Sequence, residues 1–428
     1  MKLTPLYLFA FMACCALSLS SCVEDQCQAT HEYVAYEPVY VVPEELRQPV
    51  EAEPARPLEN PGKIYVYGDY LFINEIDEGI HIYDNSDPAN PMPVRFLNIP
   101  GNEDMAVRGN MLYADNHIDL VAIDISRPDA PVYAGRTEDV FPNYGTHQNM
   151  GILVEYKPTD ITEQVPCDEY TGQSMFWRND MVFVDQANND IAIAAAESSG
   201  GAKASGDVGV GGSMARFTMA MEHLYVVDDS RLHVFDLSTP EAPERANVVH
   251  LGWGIETIFP LEDKLFIGAN NGMHIYDNSQ PTQPEFLSTF RHATACDPVY
   301  VDGDVAYVTL RDGQPCETFT NQLDVVDVSD LTDPKLIKTF PMHNPHGLSK
   351  YEQALFICEN TQGVKVFDAT DNTTVGEQLI ARMPGFQAYD IITLPQRKLA
   401  LVIGSDGFYQ FDIQQPEEPK LVGEIHAQ

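Results

Sequence analysis

The residues whose types could do chemistry are mostly charged, and they recur where strands are predicted to begin. They are Glu103, Asp104, Arg216, Glu256, Asp297, His346 and Asp390. Carboxylate oxygens are ligands that calcium prefers, and a ring of such groups could hold a cation or a small polar ligand. Polar side chains that only solvate a wet surface would give the same pattern. The sequence leaves both interpretations open, with calcium as the one candidate cofactor.

Motifs for catalysis or for a transition metal are weak. His343 and His346 are three residues apart, a spacing that suits a metal, but no third ligand is visible in the sequence. A Gly-x-Ser-x-Gly motif is absent, so serine hydrolase chemistry has no support. We assign no catalytic residue, and we regard enzymatic activity as uncertain and less favoured than binding.

The cysteines give no sign of redox or zinc chemistry. The sequence has no Cys-x-x-Cys pair, which argues against a zinc or thioredoxin-type site. Cys296 and Cys316 fall in one repeat, and an exported protein could join them in a disulfide. Cys358 lies in the run LFICEN and is expected to be a small buried apolar residue.

The elements that must position these side chains come from one repeated motif. In MHIYDNSQPTQPEF, which starts at Met273, an alternating apolar run ends in an Asp, followed by a Ser and two prolines. Alternation predicts a half-buried strand, and the prolines, which cannot donate to a strand ladder, predict its end. The motif recurs, loosely in some copies, at Asp84, Asp124, Asp236, Asp277, Asp327, Asp368 and Asp412.

The repeated Asp has a structural explanation. Its carboxylate could accept a hydrogen bond from the backbone N–H two residues later and so form an Asx-turn. Such a turn explains the Ser and the prolines together, whereas a ring of metal ligands or acids would explain neither. We therefore favour the turn.

The spacing of the motif predicts the architecture. Consecutive motif aspartates are 40, 112, 41, 50, 41 and 44 residues apart, and a four-stranded propeller blade is about 40–45 residues long. We predict an all-β, seven-bladed β-propeller, because stacked blades bury apolar faces that single sheets would expose. The charged residues above would then lie around the channel mouth. The predicted blades are residues 62–98, 103–137, 214–250, 254–290, 296–340, 345–382 and 387–425.

The interval of 112 residues predicts an insertion between the second and third blades, at residues 138–213. It contains two strand-like pieces, GILVEY and DMVFVD, and ends in a Gly-rich stretch at 198–213 that is typical of a flexible loop. The glycines lack the Lys and Ser or Thr of a phosphate-binding loop. An eighth, degenerate blade in this insertion is an open alternative. The sequence also does not show how the ring closes.

The first residues predict a lipoprotein signal peptide over 1–21. Lys2 precedes an apolar run, and the Leu-Ser-Ser-Cys that ends at Cys22 resembles the lipobox of bacterial lipoproteins, whose Cys is lipid-modified. An ordinary secretory signal is the alternative. Residues 22–60 are rich in Pro and acid and are predicted to tether the propeller domain at 61–428, although 34–42 could instead add an outer strand or pack on the propeller.

Charge narrows the choice of partners. The formal net charge of −39 becomes −40 when residues 1–21 are removed, because that segment holds one Lys and no acid. This charge repels phosphate backbones and argues against nucleic acid as a partner. It also repels anionic lipid, so the membrane would be reached through the lipid anchor alone.

The repeat resembles a known family. Leu120-Val121-Ala122-Ile123-Asp124 is the copy most similar to the LVIVD-repeat family of bacterial propeller proteins, and the resemblance extends over 62–428. The copies at Asp368 and Asp412 depart from the pattern, since both lack the Ser and one lacks the prolines. With the lipobox, the chain resembles the LVIVD-repeat lipoproteins, which implies an outer-membrane location, on the periplasmic or the surface side.

The family resemblance implies no established activity, and a propeller fold hosts many functions. We expect a non-enzymatic binding or scaffold module of the cell envelope, with an unidentified protein or glycan partner. The competing hypothesis is an envelope hydrolase or lyase with its site at the channel mouth.

Overall fold

The computed structural model describes residues 28–141, 145–147, 149–166, 175–178, 181–185, 209–292, 298–311 and 321–428. These residues form two compact units. The smaller unit takes its described residues from Met1–Val39 and Glu155–Asp190, and the larger one from Tyr40–Val154 and Ile191–Gln428. Within the described ranges, one short helix and one 3-10 turn interrupt an otherwise β structure.

The elements follow one another as repeated groups of four strands with additions near the beginning. Before the first blade the chain forms β1 (Gln28–Val41), α1 (Pro43–Leu46) and β2 (Glu51–Pro54). Blade one contains β3 (Pro61–Tyr67), β4 (Tyr70–Glu75), β5 (Gly79–Asp84) and β6 (Met92–Asn98). Blade two contains β7 (Met105–Arg108), β8 (Met111–Asn116), β9 (Asp119–Asp124) and β10 (Val132–Thr137). Between blades two and three lie β11 (Thr146–His147), β12 (Gly151–Pro166), β13 (Met175–Arg178), β14 (Met181–Asp185) and β15 (Val210–Gly211).

The remaining five blades follow one another along the chain. Blade three contains β16 (Phe217–Ala220), β17 (His223–Val227), β18 (Arg231–Asp236) and β19 (Glu244–His250). Blade four contains β20 (Ile255–Leu261), β21 (Lys264–Ala269), β22 (Gly272–Asp277) and β23 (Glu285–Arg291). Blade five contains β24 (Val299–Asp302), β25 (Val305–Leu310), β26 (Gln322–Asp327) and β27 (Lys335–Pro341). Blade six contains β28 (Leu348–Tyr351), β29 (Ala354–Cys358), β30 (Val364–Asp368) and β31 (Leu379–Met383), with the 3-10 turn Val375–Glu377 before β31. Blade seven contains β32 (Asp390–Leu394), β33 (Leu399–Gly404), β34 (Gly407–Asp412) and β35 (Lys420–His426).

Each blade is an antiparallel meander, and the seven blades form a propeller ring, as predicted. The middle strands are packed between neighbouring blades, so both of their faces are buried, as in β8 and β33, where all six residues are buried. The fourth strands lie at the rim and are largely exposed, as in β19. In every blade the pairing of third and fourth strands shifts register at one bulge, for example between Ile275 and Tyr276. A bulge of this kind increases local twist at the rim.

The ring closes by packing and side-chain hydrogen bonds between blades seven and one. Each of these blades takes its four core strands from consecutive chain. Apolar residues of both blades, including Ile73 and Phe408, form one buried cluster. Beside it, the buried amides of Asn85 and Gln410 exchange two hydrogen bonds of 2.8 and 2.7 Å. The apolar cluster and this pair of hydrogen bonds therefore close the ring without a strand exchanged between the first and last blades.

The motif aspartates form the predicted Asx-turns. In all seven blades the Oδ1 atom accepts a hydrogen bond from the backbone N–H two residues later, at 2.7–2.9 Å. The turn persists at Asp368 and Asp412, where Thr370 and Gln414 stand in place of Ser. The interaction needs only the backbone of the second residue, which explains why the loose copies fold in the same way.

Part of the predicted tether belongs to the larger unit. β2 pairs with β6 and adds an outer strand to blade one. Beside α1, Arg47 donates from Nε to Asp119 at 3.0 Å and pairs with Glu138 at 2.8 Å. Leu46 packs in a small cluster with Ile118 of blade two. Residues 40–54 therefore bind to the rim of the first two blades.

The smaller unit takes its strands from a sheet that is separate from the blades. This five-stranded sheet has the order β11, β12, β1, β14, β13, and β1 pairs antiparallel to β14 with Tyr33 opposite Asp185. This order places a strand from the N-terminal region inside the sheet, which differs from the consecutive order of a blade. Much of the region predicted as the insertion, including residues 186–208, lies outside the described residues.

Candidate functional site

The mouth face is the end of the propeller at which the innermost strands begin. Since neighbouring strands are antiparallel, each innermost strand begins beside the end of the second strand, as Met105 lies opposite Ala114. Six of the residues predicted at this mouth are described, namely Glu103, Asp104, Arg216, Glu256, His346 and Asp390. Asp297 lies outside the described residues, as do Cys22, Cys296 and Cys316, so the lipid anchor and the disulfide stay predictions.

Asp104 joins three blades. Its buried carboxylate accepts hydrogen bonds from the backbone N–H groups of Arg216 and Phe217 in blade three, at 2.7 and 3.2 Å. The ammonium group of Lys63 in blade one lies 3.1 Å from the same oxygen. The other oxygen accepts from the N–H of Met105. A buried charge is tolerated when it is paired and hydrogen-bonded in this way, and the consequence here is a fixed junction between blades.

The Arg216 guanidinium bridges two carboxylates at the mouth. It lies 2.7 Å from Glu103 and 3.3 Å from Asp229, which follows the second strand of blade three. Burial by itself would lower the pKa of Arg216, but the neighbouring carboxylates outweigh burial and raise it. Glu103 and Asp229 keep 41% and 58% of their side chains exposed, so this part of the mouth presents negative charge to solvent.

Asp115 is a mouth residue that the sequence reasoning missed. It lies in β8 beside the start of β7, and one of its oxygens accepts from the side chain of Asn102 and from the N–H groups of Glu103 and Asp104, at 2.7–2.9 Å. Burial raises the pKa of the Asp115 carboxyl to about 7, and the negative charge of Glu103 adds to the rise. The available signal was a pair of polar residues, Asp115-Asn116, at the end of an apolar strand.

A short segment that precedes blade three lies against the innermost strands. We call residues 209–213 the channel segment. It contains β15, which pairs antiparallel to β3 with Val210 opposite Val66. The N–H of Gly209 donates to the carbonyl of Val107 in blade two at 3.0 Å. The predicted flexible loop therefore ends in an ordered strand that adds to the inner edge of blade one.

The end of the channel segment contacts blades six and seven. Ser213 donates from N and from Oγ to the buried carboxylate of Asp390, and its Oγ accepts from the N–H of Leu348 at 2.6 Å. A Cβ on Gly212 would lie 1.6 Å from Asp390, and one on Gly347 would lie 2.2 Å from it. Only glycine allows the two backbones to approach this carboxylate so closely.

His346 is held as a neutral imidazole. A guanidinium can only donate, so Nη1 of Arg311 donates to Nδ1 of His346 at 2.8 Å. The Nε2–H then donates to Oδ1 of Asn344 at 2.9 Å. Burial, and then the positive charge of Arg311, hold the pKa of His346 well below its usual range. The ring lies 5.4 Å from that of Tyr389.

The predicted mouth residues thus fall into two groups. Glu103, Asp104 and Arg216 are in direct contact around blades two and three. His346 and Asp390 lie in blades six and seven, and the side chain of Asp390 packs against Gly347, the residue after His346. Glu256 is half-buried in β20. In the described part of the chain, no group of three or more His, Cys, Asp or Glu side chains could hold a metal ion.

A second feature that the sequence reasoning missed is an exposed indole. Trp253 lies in the connection from β19 to β20 with 81% of its surface exposed. Its neighbours Gly252 and Gly254 have φ values of 106° and 79°, which side-chain-bearing residues rarely adopt. The sequence Leu-Gly-Trp-Gly carried the signal, because two glycines around a large aromatic residue allow a tight loop.

Within the described ranges, no helix has both the length and the apolar composition needed to span a membrane.

Comparisons with known proteins agree with this architecture. The family model described as "LVIVD repeat" matches residues 61–95, 102–139 and 294–341, which correspond to blades one, two and five. A search of curated proteins found no match. Among solved structures, the chain is similar to the computationally designed Ika8 protein, with 8% identity over 89% of this chain and 91% of that chain and a TM-score of 0.50.

Two natural proteins give weaker structural matches. BamB from Moraxella catarrhalis is 8% identical over 88% of this chain and 96% of its own, with a TM-score of 0.46. Hsv2 from Kluyveromyces lactis is 10% identical over 84% and 97%, with a TM-score of 0.44. At such identities a structural match bears on the fold alone. The family model and the structure together show that the chain contains LVIVD repeats within a seven-bladed β-propeller.

Proposed function

We propose that this propeller is a non-enzymatic binding or scaffold module, anchored in the cell envelope by a lipid on Cys22. The observation that carries the proposal is the use of the mouth carboxylates. Glu103 and Asp104 are engaged by Arg216, Lys63 and backbone N–H groups that join neighbouring blades. Carboxylates held in this way stabilise the ring and are not poised to exchange protons with a substrate. The loops of the mouth face are left as a surface for a partner.

The test of binding is a pull-down with the full-length chain from native membranes after mild cross-linking. We expect the mature protein to retain a specific protein or glycan partner. Added unlabelled protein should compete for that partner. A matched control is the same protein after heat unfolding. Recovery of no partner above this control would contradict the proposed function.

The test of location is Cys22→Ala. The lipobox and the apolar run before it support lipid attachment at this residue. We expect the substitution to release the protein from the membrane fraction, since a chain this acidic has little attraction for anionic lipid. If the variant still sediments with membranes after a salt wash, the lipid anchor is the wrong explanation.

One observation favours the competing hypothesis of a hydrolase or lyase. The pKa of Asp115, raised by burial to about 7, falls in the range of a general acid or base, and Glu103 lies beside it. The test is activity on envelope glycans with the wild type and with Asp115→Asn. Turnover by the wild type that is lost in this variant, with folding retained, would replace the scaffold proposal by an enzyme.

Calcium at the mouth stays a prediction, and the test is calorimetry. The existing pairs of Glu103 and Asp104 with cationic side chains supply charge that a calcium ion would otherwise provide. We compare the wild type with the double variant Asp104→Asn plus Asp297→Asn. Binding by the wild type that is weakened at least tenfold in the double variant would support a cation site, and equal binding would exclude one at these residues.

A further inference from the structure

The loop that carries Trp253 is fixed on both sides. The N–H of Leu251 donates to the carbonyl of Ser230 at 2.8 Å, and the N–H of Ile255 donates to that of Asp229 at 3.1 Å. The carbonyl of Gly254 accepts from the N–H of Asn270 at 2.8 Å. The exposed indole is therefore presented by an ordered loop. Because the loop is already ordered, it would lose little conformational entropy when a partner covers the indole.

The exposed indole is unusual for this chain. The sequence has only two tryptophans, and large aromatic residues that stay solvent-exposed are a frequent feature of binding surfaces. A Cβ on Gly254 would lie 2.3 Å from the side chain of Asn270, so this position of the loop beside Trp253 requires glycine.

An acidic residue, Asp229, lies beside the loop that carries Trp253. Asp229, whose carbonyl holds the loop, directs a carboxylate that is 58% exposed toward the Arg216 side chain. Glu103, on the other side of the same guanidinium, is 41% exposed, whereas Arg216 itself is 15% exposed. In this group of three side chains the two acidic ones therefore outnumber the one basic side chain and are more exposed than it. A cation that lies over an indole face is attracted by the ring, and neighbouring carboxylates add to that attraction.

We propose that Trp253 and Asp229 form a docking site for a basic side chain, Lys or Arg, in a peptide segment of a partner protein. The proposal rests on the proposed binding function and names the chemistry of the partner. Charge complementarity carries the choice, because the chain has a formal charge of −39 and the exposed charge beside the indole has the same sign. Stacking on Trp253 gives this contact a specificity that general attraction between opposite charges lacks.

The experiment measures binding of a hexa-arginine peptide to the full chain by calorimetry, with a hexa-glutamine peptide as the neutral control. Trp253→Ala leaves the net charge of the protein unchanged, and we expect it to raise the dissociation constant for hexa-arginine at least tenfold. Asp229→Asn should raise this constant three- to tenfold. The control variant Phe286→Ala, which removes another exposed aromatic residue from the rim strand β23, should leave the affinity unchanged. Melting temperatures of all variants establish that they are folded.

A second measurement uses Trp253 as its own reporter. In a Trp177→Phe background the indole of Trp253 is the one remaining tryptophan, and hexa-arginine should change its fluorescence with saturation. Equal affinity of wild type and Trp253→Ala would show attraction by net charge only and would overturn the docking site. A saturable response to neutral oligosaccharides, with none to hexa-arginine, would assign the indole to glycan and would also overturn it.

The outcome for the docking site is separable from that for the proposed function. If Trp253→Ala recovers the same partners from membranes as the wild type, the docking site is wrong and the scaffold function stands. If the wild type itself recovers no partner, the proposed function fails whatever hexa-arginine does.

Discussion

At the scale of residues, one carboxylate performs the same task seven times. Each motif aspartate caps its turn through Oδ1, and the hydrogen bond from the residue two positions later lowers the pKa of Asp84, as it does in most of the other turns. Sequence reasoning could predict this role because the turn is local and its partners are two residues apart. It could not predict Asp115, whose raised pKa depends on burial under other strands.

We predict that Asp84→Ala destabilises the protein by about 1 kcal/mol, the typical loss when a capping side chain is removed from a backbone N–H. The matched control is Asp84→Asn, which keeps an oxygen at the capping position and should cost less. Urea unfolding of the three proteins gives the comparison. Equal midpoints for the wild type and Asp84→Ala would show that the cap contributes nothing.

We predict that Asp115→Asn stabilises the protein relative to the wild type more strongly at pH 8 than at pH 5. The folded pKa of Asp115 is raised to about 7, above its value in the unfolded chain, so the folded protein retains a proton that the unfolded chain releases. The wild type therefore loses stability as pH rises through the window from about 4 to 7, by about 1–4 kcal/mol for this group.

The measurement is the difference in unfolding free energy between the variant and the wild type across that window. Other titrating groups are common to both proteins and cancel in the difference. A difference that stays constant from pH 5 to pH 8 would mean that Asp115 titrates outside this range.

At the scale of elements, neighbouring blades are joined by side chains that reach the next turn. The hydroxyl groups of Tyr113 and Tyr225 donate to the carbonyls of Pro240 and Pro281 in the following blades, at 3.1 and 2.9 Å. Pro240 and Pro281, two of the prolines that follow the motif aspartates, thus also present an acceptor to the blade before. The channel segment makes a different junction, because its contacts extend to blades one, two, six and seven.

We predict that Gly212→Ala destabilises the ring by about 1–3 kcal/mol, the usual cost of forcing a methyl group into a packed site. The added Cβ would lie 1.6 Å from the carboxylate of Asp390, so either the carboxylate or the channel segment must move. The double variant Gly212→Ala plus Asp390→Ala removes the clash. Its cost should be clearly less than the sum of the two single variants in thermal unfolding, and strict additivity would show that the two residues do not interfere.

At the scale of the whole molecule, the ring is closed by contacts between its first and last blades. Gln410 accepts from and donates to Asn85, and it also donates to the carbonyl of Pro88 at 3.0 Å. Gln410 thus reaches the turn of the next blade, as the tyrosines do elsewhere. Both amides are buried, so each depends on the other for its hydrogen bonds.

We predict that Asn85→Ala and Gln410→Ala are each destabilising by about 1–3 kcal/mol, because each leaves a buried amide without its partner. The double variant should cost less than the sum, with a coupling of about 0.5–3 kcal/mol, since neither amide then remains unsatisfied. Urea unfolding of the four proteins completes the cycle. Additive costs would indicate that closure depends on the apolar cluster alone.

The sequence by itself determined the number of blades, their approximate bounds and the turn at each motif aspartate. These features repeat at short range, and each copy of the motif supports the others. Tertiary structure alone decided the rest. Glu103 and Asp104 could be placed at the mouth from sequence, but their partners Arg216 and Lys63 come from other blades. The same holds for the channel segment and for the exposure of Trp253, because burial and pairing between distant parts of the chain depend on how the ring closes.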